Sequence, residues 1–288
     1  MKKRKVAYTE NYQNLMAHLA AGRTFDEQLK CIDETRNHAP VWFLRAGLLK
    51  ALGVPEPKKN SENFITFGCY VPFMSLAKFG DTLKLLDILG IEYNYSPDKE
   101  ICCGAPPFQD CVEFEEVTEE ERQKIQARCK KYMQFNWDMG KQAGAKNMVY
   151  VCHACAALVK MVFPEDANIH RWVYDPIMDK LEEKSLEIEP TVMGYFEGCH
   201  KHFPYFGSLD WPRYRKVLGS IKGLTIVDLD KRFCCKQHPD RILEDAEKKN
   251  LKTILVPCGD GHYFLKQAFQ EKMEVKNFSE VLLQVLGG

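Results

Sequence analysis

Nine of the twelve cysteines in this chain fall into one pattern that occurs twice. The first copy is Cys69, the adjacent pair Cys102 and Cys103 followed by Gly104, then Cys152 and Cys155 on either side of His153 and Ala154. The second is Cys199, the adjacent pair Cys234 and Cys235, then Cys258. Cys199 lies 130 positions after Cys69 and Cys234 lies 132 after Cys102, so the copies run nearly in step. Thiolates this numerous and this regularly placed are what an iron–sulfur site requires. Adjacent cysteines are uncommon zinc ligands, because neighbouring side chains diverge and zinc wants one tetrahedron. A multi-iron cluster presents several metal atoms, so two neighbouring thiolates can each find an iron or share one. Gly104 removes a side chain and permits unusual backbone angles where the chain wraps a bulky cluster. Zinc ligation and buried unliganded thiols are the competing readings.

The second copy departs from the first. Lys236 stands where the first has Gly104, and Gly261 stands where the first has Cys155. Four thiolates can still hold a cubane, a zinc, or an altered cluster completed by another ligand. His238, Asp260 and His262 are near in sequence, each equally readable as a surface or helix-capping residue. His153, His200 and His202 are placed to donate hydrogen bonds to sulfur, or to an ordinary backbone carbonyl. Lys201, His202, Phe203, Tyr205 and Phe206 either line a substrate mouth or pack. Cys31 and Cys129 read as small buried hydrophobes, and Cys111 as a bystander or an outer thiol.

The elements that must position these residues alternate between short strands and helices. Strands are expected at 64–67, 91–95, 148–151, 191–196, 224–229 and 253–256, each running into a cysteine block. Helices are expected at 75–89, 119–143, 214–221 and 240–250, with an apolar stripe at helical spacing. Strands separated by helices predict an α/β chain of two tandem, pseudo-symmetric, doubly wound lobes with mostly parallel sheets. In such sheets ligands bind beyond the carboxyl ends of the strands, where the cysteines fall. The first 63 residues read as a helical extension, with helices at 11–21, 25–35 and 40–52 and a linker at 55–59. That extension docks a partner, caps the first lobe, or simply packs.

Forty basic residues balance forty acidic ones, so no overall field draws the chain to nucleic acid. The basic start at Lys2 is not followed by an apolar stretch, and no run reaches the roughly 18 apolar residues a membrane span needs. The expectation is a cytoplasmic protein whose thiols serve metals or redox chemistry rather than disulfides.

The arrangement Cys…Cys-Cys-Gly…Cys-x-x-Cys, given in tandem, resembles the CCG-domain family. Its best-known member is the B subunit of heterodisulfide reductase, and its relatives include subunits of thiol:fumarate reductase, archaeal succinate dehydrogenase and glycolate oxidase. The resemblance runs from about residue 64 to the C-terminus. It divides the chain into the extension 1–63, a first CCG domain at 64–190 with the complete motif, and a second at 191–288 with the degenerate one. It implies that Cys69, Cys102, Cys103, Cys152 and Cys155 hold a non-cubane [4Fe–4S] cluster. Cys199, Cys234, Cys235 and Cys258 match four of five positions, which leaves the second motif an altered iron–sulfur cluster or zinc. It further implies an oxidoreductase subunit that makes or breaks a sulfur–sulfur bond at an open iron of the first cluster. The heterodisulfide-reductase-like complexes of sulfur oxidisers, acting on a carrier-bound thiol or disulfide, fit the degenerate copy. No Gly-x-Gly-x-x-Gly or phosphate loop is present, so electrons are expected from partners: a ferredoxin-like subunit resembling the C subunit of heterodisulfide reductase, and a flavin-containing subunit. The alternatives are a non-catalytic electron-transfer subunit of a quinone- or flavin-linked oxidoreductase, and a zinc-stabilised assembly protein.

Overall fold

The computed structural model describes residues 23–39, 45–96, 98–106, 118–198 and 209–287. The expected helix at 11–21 lies outside them. The chain is α/β, and every strand pairing among the described residues is parallel. It divides into two compact units that interleave in sequence. Among the described residues, one contains those up to Met74 together with those from Glu92 to Trp172, and the other contains those of 75–91 and those from Val173 onward.

The first unit opens with α1 (Phe25–Thr35), whose N-terminus carries a reciprocal cap. The Glu27 N–H donates to Thr24 Oγ1 at 3.3 Å and the Thr24 N–H donates to the Glu27 carboxylate at 2.7 Å. Two otherwise orphaned donors are thereby satisfied. The short helix α2 (Arg45–Ala51) follows, then strand β1 (Asn63–Thr66) and helix α3 (Val71–Met74). Later in the same unit come the long helix α5 (Glu119–Gln142), β2 (Asn147–Tyr150), α6 (His153–Val162) and β3 (His170–Trp172). Helix α4 (Leu76–Ile88), although it follows β1 in sequence, belongs to the second unit.

The sheet of the first unit has the order β1-β2-β3. The strand expected at 91–95 is reduced to a single parallel bridge between Phe64 and Asn94. The Ile65 N–H donates to the Asn94 carbonyl and the Asn94 N–H to that of Asn63, both at 2.8 Å. The Asn94 side chain also accepts the Tyr95 N–H at 2.8 Å, a local bond within this edge segment. Counting that edge, the spatial order is second, first, third, fourth along the chain.

The second unit repeats that order. Its strands are β4 (Glu187–Tyr195), β5 (Lys222–Asp228), β6 (Thr253–Val256) and β7 (Glu274–Asn277), arranged β5-β4-β6-β7. Helices α7 (Tyr174–Leu181), α8 (Trp211–Ser220), α9 (Pro239–Lys248), α10 (Gly259–Phe269) and α11 (Phe278–Val285) complete it. A core of Phe196, Ile242, Ile254, Val256, Leu265 and Phe269 lies at or near zero exposure. Burying residues of this size is worth about 1.5–3 kcal/mol each, which makes this core the main adhesive of the unit. No helix among the described residues is long and apolar enough to cross a membrane.

Candidate metal centre

In a parallel sheet of this order the chain reverses direction between the first and third strands, and that switch point is where a crevice opens beyond the strand ends. In the first unit these strands are β1 and β2, which run into Cys69 and Cys152. Their ends nearly touch: a Cβ added at Gly68 would sit 2.9 Å from the Cβ of Cys152 and 4.0 Å from the Sγ of Cys155. Gly68 also has φ +84°, in the left-handed region that favours glycine, so no other residue suits this turn.

A buried ion pair holds the same turn. The Glu100 carboxylate accepts the backbone N–H groups of Phe67 at 3.0 Å and Gly68 at 2.6 Å. Arg45, from α2, pairs with Glu100 at 2.9 Å and donates to the Gly68 carbonyl at 3.2 Å. Both charged side chains are almost wholly buried. Each charge is matched and each is also bonded to backbone, the condition under which a buried pair is tolerated.

The segment carrying Cys102 and Cys103 is clamped from both sides. α1 ends in a left-handed cap at Arg36, φ 63°, and the Arg36 carbonyl accepts the Cys102 N–H at 2.8 Å. From α5, the Asn136 amide accepts the Ile101 N–H at 2.9 Å and donates to the Ile101 carbonyl at 2.8 Å. Gly104, φ +86°, lies so close to α5 that an added Cβ would meet the Tyr132 ring at 3.0 Å and the Cys129 Sγ at 3.3 Å. Cys152 and Cys155 are placed by α6: Cys152 is its N-cap and Cys155 stands in its first turn.

The five thiols of the first set come together. Cys69 and Cys102 are in contact, Sγ to Sγ 3.3 Å. Cys102 touches Cys103, Cys103 touches Cys155, and Cys155 touches Cys152. Cys152 is half-buried and the other four are buried. For Cys69 the Cys102 contact favours the thiolate, but burial and the neighbouring Cys103 and Cys152 outweigh it and push the thiol up to about 11. Burial drives Cys102 well above its ordinary value. Cys103 is raised chiefly by its contact with Cys102, and Cys155 by its contact with Cys103. Thiols so closely gathered would repel one another as thiolates unless a cation lay among them. Five exceed the four that a zinc tetrahedron takes, so the donor set fits a multi-iron cluster better than a single ion.

Two residues at this centre escaped the sequence reading. Cys129, on α5, is a buried helical thiol as expected, yet it lies beside Gly104 and its thiol is raised by burial and by Cys103. His38, just beyond α1, is fully buried, and its ring nitrogen, Cys69 Sγ and Cys102 Sγ all lie within 4.8 Å of one another. No spacing in the sequence points to it, because 31 positions separate it from Cys69.

Of the second set, Cys199 lies outside the described residues, as do Cys111, His200, Lys201, His202, Phe203, Tyr205 and Phe206. Cys235 and Cys258 share the second unit's apolar core, and Cys234 is half-buried. Cys258 is the N-cap of α10, with its sulfur accepting the Gly261 N–H at 3.0 Å. A Cβ at Gly261 would stand 2.7 Å from Val256 and 2.9 Å from that same sulfur, so the position missing its cysteine has no room for one. Lys236 lies 5.1 Å over the Phe264 ring. His262 is buried in α10, where burial and Lys266 lower its pKa to about 4. His238 is the N-cap residue of α9, Asp260 is in the first turn of α10, and His153 is buried with its ring edge toward Trp172.

Residues 65–160 match the cysteine-rich domain family CCG. The chain is 29% identical to the D subunit of the dihydromethanophenazine:CoB–CoM heterodisulfide reductase of Methanosarcina mazei, across 58% of this chain and 41% of that protein. It is 23% identical to the B subunit of the fumarate reductase (CoM/CoB) of Methanothermobacter marburgensis, across 98% of this chain and 55% of that one. It is 26% identical to the EtfAB:quinone oxidoreductase of Syntrophomonas wolfei, across 77% and 32%. The chain thus spans about half the length, or less, of the curated relatives it matches. The match to a solved glutamate racemase from Francisella tularensis covers 80% of each chain at 12% identity, with a TM-score of 0.35.

Proposed function

We propose that this chain is the iron–sulfur redox subunit of a heterodisulfide-reductase-like complex. Cys69, Cys102, Cys103, Cys152 and Cys155 hold a non-cubane [4Fe–4S] cluster at which a sulfur–sulfur bond is made or broken. One observation carries the reading: five thiols from three separate loops converge at the switch point of a parallel sheet. The match to the cysteine-rich family and the likeness to oxidoreductase subunits support it.

When bound, the cluster supplies one-electron redox chemistry and an iron able to take a sulfur ligand. The chain's own residues do the rest. Arg45 and Glu100 lock the turn before Cys69, and Arg36 and Asn136 lock the adjacent pair, so the thiols are held before metal arrives. Four of the five are shielded from water, and half-buried Cys152 marks the side from which a substrate sulfur approaches. Cleaving a disulfide consumes two electrons and two protons and yields two thiols; the reverse, as in sulfur oxidation on a carrier-bound thiol, releases them. The electrons pass through a ferredoxin-like subunit resembling the C subunit of heterodisulfide reductase and through a flavin-containing subunit. Cys199, Cys234, Cys235 and Cys258 hold an altered cluster or zinc. Twelve cysteines suit a reducing compartment, so the cytoplasm is its place.

The likeness to EtfAB:quinone oxidoreductase favours a second reading, an electron-transfer subunit without catalysis of its own. Anaerobic purification with iron, sulfide and zinc quantification tests the centre: iron and sulfide are expected, and stoichiometric zinc without them refutes it. Reoxidation of the reduced protein by an organic disulfide is expected for the catalytic reading. Reoxidation by viologen dyes alone would leave only electron transfer.

A further inference from the structure

We propose that His38 supplies a nitrogen ligand to the metal centre of the first cysteine set, next to Cys69 and Cys102; this rests on the proposed cluster. Three observations converge on the imidazole. Its ligand atom and the two sulfurs lie within 4.8 Å of one another, and all three residues are buried. The backbone two residues earlier is bonded to the site itself, through the Cys102 N–H and the Arg36 carbonyl at 2.8 Å. The ring is stacked on Tyr70, the residue after Cys69, with centroids 4.5 Å apart and planes tilted by 22°. His38 is therefore held from both sides by the residues that carry Cys69 and Cys102.

The chemistry gives such a ligand a purpose. Five thiolates around iron and sulfide accumulate negative charge in a buried place. A neutral imidazole adds a donor to the centre without adding negative charge. His38 precedes the matched segment 65–160, so this donor is contributed by the extension and is absent from the cysteine pattern. The described extension thereby becomes part of the centre: the segment after α1 presents Arg36 and His38, and α2 presents Arg45.

Pulsed electron paramagnetic resonance on the anaerobically purified full chain, labelled with 15N-histidine, tests this, with iron and sulfide measured on the same sample. The expected result is a strong histidine-nitrogen coupling at the paramagnetic centre. It should be lost in His38→Ala and His38→Gln and retained in His153→Gln. Iron and sulfide present without that coupling, or coupling unchanged in both His38 variants, overturns the His38 ligand and leaves the cluster standing. Absence of iron from the unmodified protein overturns both. Where the His38 variants fail to fold, labelled protein without a nitrogen coupling, or loss of the coupling in His153→Gln, still refutes the assignment.

Discussion

Arg45 and Glu100 form an ion pair at 2.9 Å with both side chains almost completely removed from water. Through Glu100, which also accepts the N–H groups of Phe67 and Gly68, the pair ties α2 to the turn that delivers Cys69.

Breaking this pair from one side should be severe. Arg45→Met leaves Glu100 charged and buried, and a loss of about 3–5 kcal/mol in unfolding free energy is expected. Adding Glu100→Gln removes the stranded charge while keeping an acceptor for one backbone N–H, so the double variant should be more stable than Arg45→Met alone. Urea denaturation of the two single variants and the double variant measures the coupling.

Glycine substitutions should separate backbone strain from site geometry. Gly53 and Gly68 both have positive φ, but an added Cβ at Gly53 meets nothing within 4 Å whereas at Gly68 it strikes Cys152. Gly53→Ala should cost about 1–2 kcal/mol through strain alone and keep its metal. Gly68→Ala adds an overpacking cost of about 1–3 kcal/mol to the same strain and should lose iron, as read by metal content after gel filtration.

Restoring the missing thiol of the second set should fail. Gly261→Cys drives a Cβ into Val256 and the Cys258 sulfur, so a stability loss of about 1–3 kcal/mol with no gain in iron per chain is expected. Adding Val256→Ala removes one of the two obstructions and should recover part of the stability in urea titrations.

Metal uptake should acidify the medium. Cys69, Cys102, Cys103 and Cys155 all have thiol pKa values above the ordinary 9.0, so at neutral pH they enter the reaction protonated. Ligation requires thiolates, so loading the first centre should release at least these four protons, and affinity should rise with pH. Indicator-dye titration in weak buffer counts them.

Acid should weaken the first unit through His170. This ring is fully buried, accepts or donates at 2.9 Å with the Tyr150 hydroxyl, and has its pKa lowered by burial, then by Lys160 and Lys141, to about 4. It stays neutral in the fold while the unfolded chain takes a proton near the ordinary 6.5. Its stabilisation is therefore complete above that value and declines as pH falls toward about 4, by up to about 1.4 kcal/mol per pH unit. Urea midpoints should fall from pH 7 to pH 5, and less steeply in His170→Gln.

Many elements of this protein are legible from its residues, because strand and helix periodicities are local, although β3, β7 and the helices α6, α7, α10 and α11 are not among those expected. α1 stands where its pattern places it, and β1, β2, β5 and β6 each run out just before a cysteine block. The parallel α/β class follows from that alternation alone. The expected strand at 91–95 is reduced to a single bridge between Phe64 and Asn94. Cysteine type and spacing by themselves singled out five thiols as one set. Only the tertiary structure decided what surrounds them: that α4 packs in the second unit, that Cys129 lies beside Gly104, that Arg45 meets Glu100, and that His38 reaches Cys69 and Cys102. The physical reason is distance along the chain. A helix or strand is specified by neighbours a few positions away, whereas these meetings join residues tens of positions apart, and close packing of particular side chains selects them.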